Sequence, residues 1–330
     1  MHTPSFRQLL LSAASLGLAS FASSPAFAQA PAFPSKPINV IMAGGPGTTL
    51  DVTTRLFTGT ITQQTGVQMI IDYKGGAGGT IGAAYVAKQP PDGYTIMGTI
   101  SSYAIAPALY PDLPYDPLKD LAPVTQMTEY YFILITAPSV PVKNVGEYLA
   151  YVRANPGKLN FGTSGQGSSY HMAGALLHYM TRSEVTFIHY KTGTQRATDF
   201  IAGQLGAQWA TGREYGGLVK QGKARGLGIT SLTRNPALPD VATVAEQGVP
   251  GYEFSSWNAF LAPGRTPVPI LNQIQKLFAD AGRDPNIVKK LTATEQNIVT
   301  NTPEAFGKRL AVEIPRWKEV VKAASIKLDE

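Results

Sequence analysis

Two short runs of glycine and hydroxyl residues carry the polar groups best suited to holding a small anion. The first is Gly44-Gly45-Pro46-Gly47-Thr48-Thr49-Leu50-Asp51, and the second is Thr163-Ser164-Gly165-Gln166-Gly167-Ser168-Ser169. Each follows a short apolar run that reads as a strand and leads into a helical stretch. A tight loop opening a helix aims orphan amides at one point, where the helix dipole favours negative charge. No Lys-Ser or Lys-Thr follows the first glycines, so a phosphate-cradling loop is absent and a small carboxylate held mainly by backbone is the better fit. The plain alternative is structural: Thr48, Thr49 and Asp51 are good helix caps, and so are Ser164, Ser168 and Ser169.

Other chemistries fit less well. Gly162-Thr163-Ser164-Gly165 approaches a nucleophile elbow, but Gln166 stands where the pattern needs glycine. His171 follows Ser168 by three residues, a spacing that suits local capping better than catalysis. His171, His178 and His189 form no metal-ligand pattern, and Asp51, Asp72 and Asp199 sit where caps and turns account for them. Gly76-x-Gly78 lacks the third glycine of a dinucleotide fingerprint, since Ile81 stands there. Two further residues enter the candidate site. Ser101 ends a strand at the carboxyl edge of a sheet, where ligands collect in open α/β folds. Arg213, in Thr211-Gly212-Arg213-Glu214, either pairs with Glu214 or forms a bidentate partner for a second ligand carboxylate.

The chain has 330 residues, 44% of them hydrophobic, which is ample for two domains. Arg7, the Leu9–Ala22 apolar run and Ala26-Phe27-Ala28 predict a secretory signal peptide over 1–28, cleaved after Ala28. No later apolar run reaches the length of a spanning helix, so a soluble mature protein is expected. The absence of cysteine excludes thiol chemistry, thiolate metal sites and disulfides. Formal charge is +6, or +5 without Arg7, and the basic residues are scattered, which argues against nucleic-acid binding.

Strands alternate with helices along the chain, which predicts parallel sheets. Strands are expected from Ile38 up to the Gly44 loop and near 67–73, 94–100, 130–136, 159–162, 185–190, 205–209 and 224–230, with a return crossing at 252–261. Leu109–Pro123 reads as a surface loop, and Pro138–Pro141 as the crossing from one domain to the next. The tail is helical, its last helix carrying a buried stripe from Phe306 to Val321. The expected architecture is α/β with two lobes, each a mostly parallel sheet flanked by helices, closing on a ligand. Lobe 1 spans 29–136 plus 255–330, and lobe 2 spans 137–254.

Further motifs, in order, carry a resemblance. They include Gly75-Gly76-Ala77-Gly78-Gly79, Pro91-Asp92-Gly93-Tyr94, Leu113-Pro114-Tyr115-Asp116-Pro117, Asn155-Pro156-Gly157-Lys158-Leu159, Leu238-Pro239-Asp240-Val241 and Pro250-Gly251-Tyr252-Glu253. With the two loops above, they resemble the Bug family of periplasmic solute receptors of tripartite tricarboxylate transporters, from about Pro34 to Lys327. The resemblance implies a Venus-flytrap receptor without catalytic activity or cofactor, working as a monomer with a membrane permease. It places a ligand carboxylate at Gly47, Thr48, Thr49 and Asp51 and at Thr163, Ser164, Gly165, Gln166, Ser168 and His171. Gly47 and Gly165 would act through backbone amides, with Asp51 capping its helix. The chain departs from the family at Ala210–Glu214, where an acidic or amide-bearing segment is usual, and at Thr192–Arg196. Arginine in place of an acid disfavours amino-acid ligands and points to a dicarboxylate or an aromatic acid. An exported enzyme using Ser164 or Ser168 with His171, and a receptor that signals to a kinase, are the alternatives.

Overall fold

The computed structural model describes residues 33–236, 238–323 and 326, without the side chain of Arg213. The expected signal peptide and its cleavage point lie outside the described residues.

Elements of the first lobe begin with strand β1 (Ile38–Met42), helix α1 (Thr49–Thr65), strand β2 (Met69–Tyr73) and helix α2 (Thr80–Val86). Strand β3 (Thr95–Ile100), helix α3 (Ser102–Leu109) and the long strand β4 (Leu121–Tyr131) follow. The second sheet is built from β5 (Ile133–Thr136), α4 (Val145–Ala154), β6 (Asn160–Thr163), α5 (Ser169–Thr181) and β7 (Thr186–His189). It continues through α6 (Gly193–Ile201), β8 (Ala207–Ala210), α7 (Gly212–Lys220) and β9 (Arg225–Ile229). The chain returns along β10 (Ser255–Pro263) and ends with α8 (Val268–Ala281), α9 (Pro285–Thr292), β11 (Asn297–Ile298) and α10 (Pro303–Ala323).

The first sheet has the order β11-β4-β10-β3-β1-β2, and the second β7-β6-β8-β5-β9. Strands joined by helical crossovers are parallel, as the alternation predicts: β1 with β2 and β3, and β6 with β7 and β8. Both sheets are nevertheless mixed. β10 is antiparallel to β3 and β4, and β5 is antiparallel to β8 and β9, because these strands enter from the other sheet rather than through a crossover helix.

Three local expectations are corrected. The expected strand 130–136 is broken at Phe132, with β4 in the first sheet and β5 in the second, so the sheets part at Phe132 rather than after Thr136. The expected loop 109–123 ends early, since β4 begins at Leu121. Helix α3 was not anticipated, and its Pro107 masks a helical run that is otherwise apolar.

The crossings are tied together at one point. Thr230 Oγ1 accepts the Phe132 amide at 2.9 Å, its own amide donates to the Phe132 carbonyl at 2.9 Å, and its carbonyl accepts the Phe254 amide at 3.0 Å. Phe132 and Phe254 stack with centroids 5.6 Å apart. Helix α10 lies across both crossings: Arg309 donates to Glu129 and Ser255, and Trp317 packs edge-on against Phe254. One apolar cluster therefore runs from Phe306 and Trp317 through Trp257 and Phe132 to Phe161, Trp209 and Tyr252 in the second lobe.

Candidate functional site

The first loop is shaped by its own residues. Thr48 caps α1, its Oγ1 accepting the Asp51 amide at 3.3 Å and donating to the Gly45 carbonyl at 2.8 Å. Gly47 takes φ +75°, a conformation in which a side chain is strained. Its amide, expected to face an anion, donates instead to Asp51 Oδ2 at 2.9 Å. The other oxygen of Asp51 accepts Arg55 Nε at 3.0 Å and the Tyr73 hydroxyl at 2.6 Å. Burial alone would raise the Asp51 pKa, but bonds from Tyr73 and Gly47 and the Arg55 charge hold it below the usual carboxylate value. Asp51 is thus a buried brace for the loop. Its helix cap is Thr48.

The second loop follows the same logic with histidines. Gly165 takes φ +110°, and its carbonyl accepts the Ser168 amide at 3.2 Å. Ser168 caps α5 by accepting the His171 amide at 3.3 Å. The Gly167 amide donates to His171 Nδ1 at 3.0 Å, and Thr163 Oγ1 is hydrogen-bonded to His189 Nδ1 at 2.7 Å. Burial, with the neighbouring His189 ring adding to it, lowers the His171 pKa to about 4, so the ring is neutral and acts as an acceptor. Ser168 meets the backbone of His171 and not its ring, so the two do not form a nucleophile–base pair.

A cavity of about 350 Å³ lies between the lobes. The first lobe supplies Gly78, Ile100, Ser102, Ala106, Leu109 and Tyr110, and Tyr130 and Phe132 come from the crossing. The second lobe supplies Ser164, Gln166, Gly167, Ser168, Ser169 and Tyr170. Ser169 and Tyr170 open α5, and their amides find no acceptor among the described residues. A neighbouring cavity of about 140 Å³ is lined by Gly47, Thr49, Val52, Thr211, Thr294 and Gln296 and shares Tyr130 with the first. The two glycine loops thus border separate cavities either side of Tyr130, not one.

Ser101 does not line the seam cavity. It is buried, with its hydroxyl 2.9 Å from Ser169 Oγ and 3.0 Å from Ser256 Oγ, a link between the lobes. His171 borders a different cavity of about 870 Å³ on the other side of α5, with Tyr179, Arg182, Phe187 and Ile326. The 350 Å³ seam cavity is the better candidate, because there α5-start amides without an acceptor among the described residues, and the Ser164 hydroxyl, meet residues of the first lobe. Arg213 is the second residue of α7, and its side chain lies outside the described residues. Glu214 accepts Arg196 Nη2 at 3.0 Å, the Tyr170 hydroxyl at 3.0 Å and the Thr211 amide at 2.9 Å.

Sequence reasoning missed Tyr130, Phe132, Tyr170 and Arg196. Tyr130 and Phe132 stand two apart where the chain changes sheets, so both flank the seam, a signal that is readable only once the break is known. Arg196 is buried with its guanidinium 4.3 Å over the Tyr170 ring, and Phe132 stacks on that ring at 4.5 Å.

Comparisons with known proteins agree on one family. Residues 53–326 match the model described as tripartite tricarboxylate transporter family receptor. The chain is 30% identical to Protein BugT of Bordetella pertussis, over 91% of this chain and 93% of that protein. Among solved structures it is similar to Rpa4515 of R. palustris with adipate, at TM-score 0.78 and 30% identity, covering 89% of this chain and 99% of the other. It is also similar to MatC from Rhodopseudomonas palustris with bound malate, at TM-score 0.75 and 28% identity, covering 88% and 100%. The matching family and the structural neighbours are solute-binding receptors rather than enzymes, and the chain belongs to the tripartite tricarboxylate transporter family of receptors.

Proposed function

We propose that this protein is a periplasmic receptor that captures a small organic acid by closing two lobes and delivers it to a tripartite tricarboxylate-type membrane permease. The observation that carries this is the seam cavity, where the Ser169 and Tyr170 amides, without an acceptor among the described residues, and the Ser164 and Ser168 hydroxyls form one wall. The relatives with bound adipate and malate support a carboxylate ligand. Residues 1–28 act as a cleaved signal peptide, the receptor works as a monomer, and the lobes divide at Phe132 and near Ser255.

A thermal-shift screen of the protein lacking residues 1–28 tests this, with mono-, di- and tricarboxylates and acidic amino acids. A ligand at a hundred times its Kd adds about 2.7 kcal/mol of apparent stability. Stabilisation by carboxylates, with the ligand recovered unchanged, is the expected result. Conversion of the bound acid would overturn the receptor reading. Amino-terminal sequencing of exported protein should begin at Gln29.

A further inference from the structure

The two lobes contribute unlike walls to the seam cavity. The second-lobe wall is polar: Ser164, Ser168 and the first-turn amides of α5 face it. The first-lobe wall is chiefly carbon, from Ile100, Ala106 and Leu109, with Gly78, Ser102 and Tyr110 completing it. Two of the hydroxyls on that side already have partners. Ser102 Oγ donates to the Gly78 carbonyl at 3.0 Å, and the Tyr130 hydroxyl accepts Ser256 Oγ at 3.0 Å. Tyr170 gives its proton to Glu214 at 3.0 Å, with one ring face against Phe132 and the other under Arg196. Among the described residues, no Asp, Glu, Lys, Arg or His lines the cavity.

Resting on the receptor reading, we propose that the ligand is a monocarboxylate with an aryl or alkyl body, and that a second carboxylate is selected against. The single carboxylate sits on the α5 start, in reach of the Ser164 and Ser168 hydroxyls. Its apolar body lies across Ile100, Ala106 and Leu109. A second carboxylate would be pressed against this mostly carbon wall with no cationic side chain among the described residues to pair it, and desolvating an unpaired charge is strongly unfavourable. Ligand discrimination therefore comes chiefly from the first lobe, and anion capture from the second.

Matched pairs of acids test this by titration calorimetry at one pH, on the protein lacking residues 1–28: pentanoate against glutarate, and benzoate against terephthalate. At least one monocarboxylate should bind tenfold or more tightly than its dicarboxylate partner. Equal or tighter binding of the dicarboxylates overturns the inference and leaves the receptor reading intact. Silence from all four acids and from the wider carboxylate screen, with folded protein, overturns the receptor reading and this inference with it. Leu109→Lys, which puts an ammonium on the carbon wall, should move the preference at least fivefold toward the dicarboxylate. An unchanged preference in folded Leu109→Lys would also overturn the inference, and the wild-type pairs decide the matter if that variant does not fold.

Discussion

Replacing Arg196 with methionine should destabilise this protein less than replacing its partner Glu214 with alanine. The asymmetry follows from burial. The Arg196 side chain is 4% exposed and that of Glu214 is 40% exposed. Arg196 makes one bond to Glu214, at 3.0 Å, and covers the Tyr170 ring, while its Nε and Nη1 are buried without a partner among the described residues. Methionine would remove about 1.5–3 kcal/mol of charged hydrogen bond and about 1–2 kcal/mol of cation–π contact. It would also relieve two unpaired donors, worth about 1–3 kcal/mol each. These terms nearly offset, so Arg196→Met should lie within about 1–2 kcal/mol of wild type. Glu214, half in water and still bonded by the Thr211 amide and the Tyr170 hydroxyl, tolerates the loss. Glu214→Ala does the reverse and strands a buried cation, at about 3–5 kcal/mol. Urea unfolding of both variants at pH 7.5, followed by fluorescence and circular dichroism, measures the difference. If Arg196→Met proves the more destabilising, the reasoning is wrong. The two donors would then have to be satisfied, most simply by a water bridging to Gln208 Oε1, itself unpartnered and beside the same Gly162.

Asp51→Asn should destabilise by about 2–3 kcal/mol at pH 7, because an amide cannot accept from Gly47, Arg55 and Tyr73 together; a midpoint unchanged in urea would refute the bracing role. Since the Asp51 pKa is lowered on folding, its contribution is present above the ordinary value of 3.8 and is lost as pH falls through the folded value. His171 and His178 are depressed by burial to about 4 and about 3, from 6.5. Unfolded protein binds more protons than folded protein over that window, so stability should fall as pH drops from 6.5 toward 4, by about 2–3 kcal/mol per histidine between pH 7.5 and 4.5. His178→Gln should lose much of its share of that slope, and an unaltered slope would contradict the assignment. At Gly212, a Cβ would overlap the Glu295 carboxylate reaching over from the first lobe. Gly212→Ala should therefore weaken ligand binding severalfold, and Gly212→Ala combined with Glu295→Ala should recover most of the loss; a double variant no better than the single one speaks against the contact.

Much of the local structure was legible, for reasons that are themselves local. Thr48 and Ser168, read as cap candidates, do cap helices through bonds to residues three positions on, and Asn144, Thr192 and Thr211 cap in the same local way. The glycine at 165 and the capping role of Ser168 belong to the same class. The site itself was only half legible. His171 follows Ser168 at a suggestive spacing, yet which cavity its ring borders depends on α5 packing against Phe187 and His189, on the neighbouring strand β7. Ser101 stands at the carboxyl edge of a strand as expected, but Ser169 and Ser256, 68 and 155 residues away, engage its hydroxyl.

What the sequence by itself determined is therefore most of the strands and helices, the two glycine loops and, through ordered motifs, the receptor family. Those features depend on contacts within a few residues, or on patterns that periodicity and turn chemistry impose. Only the tertiary structure decided that the strand at Phe132 breaks between two sheets, that the loops border separate cavities, and that an aromatic and aliphatic wall faces the amides of α5. Such features depend on residues far apart in the chain meeting across a seam. No local propensity encodes which hydroxyls that meeting will bury and which it will leave facing a ligand.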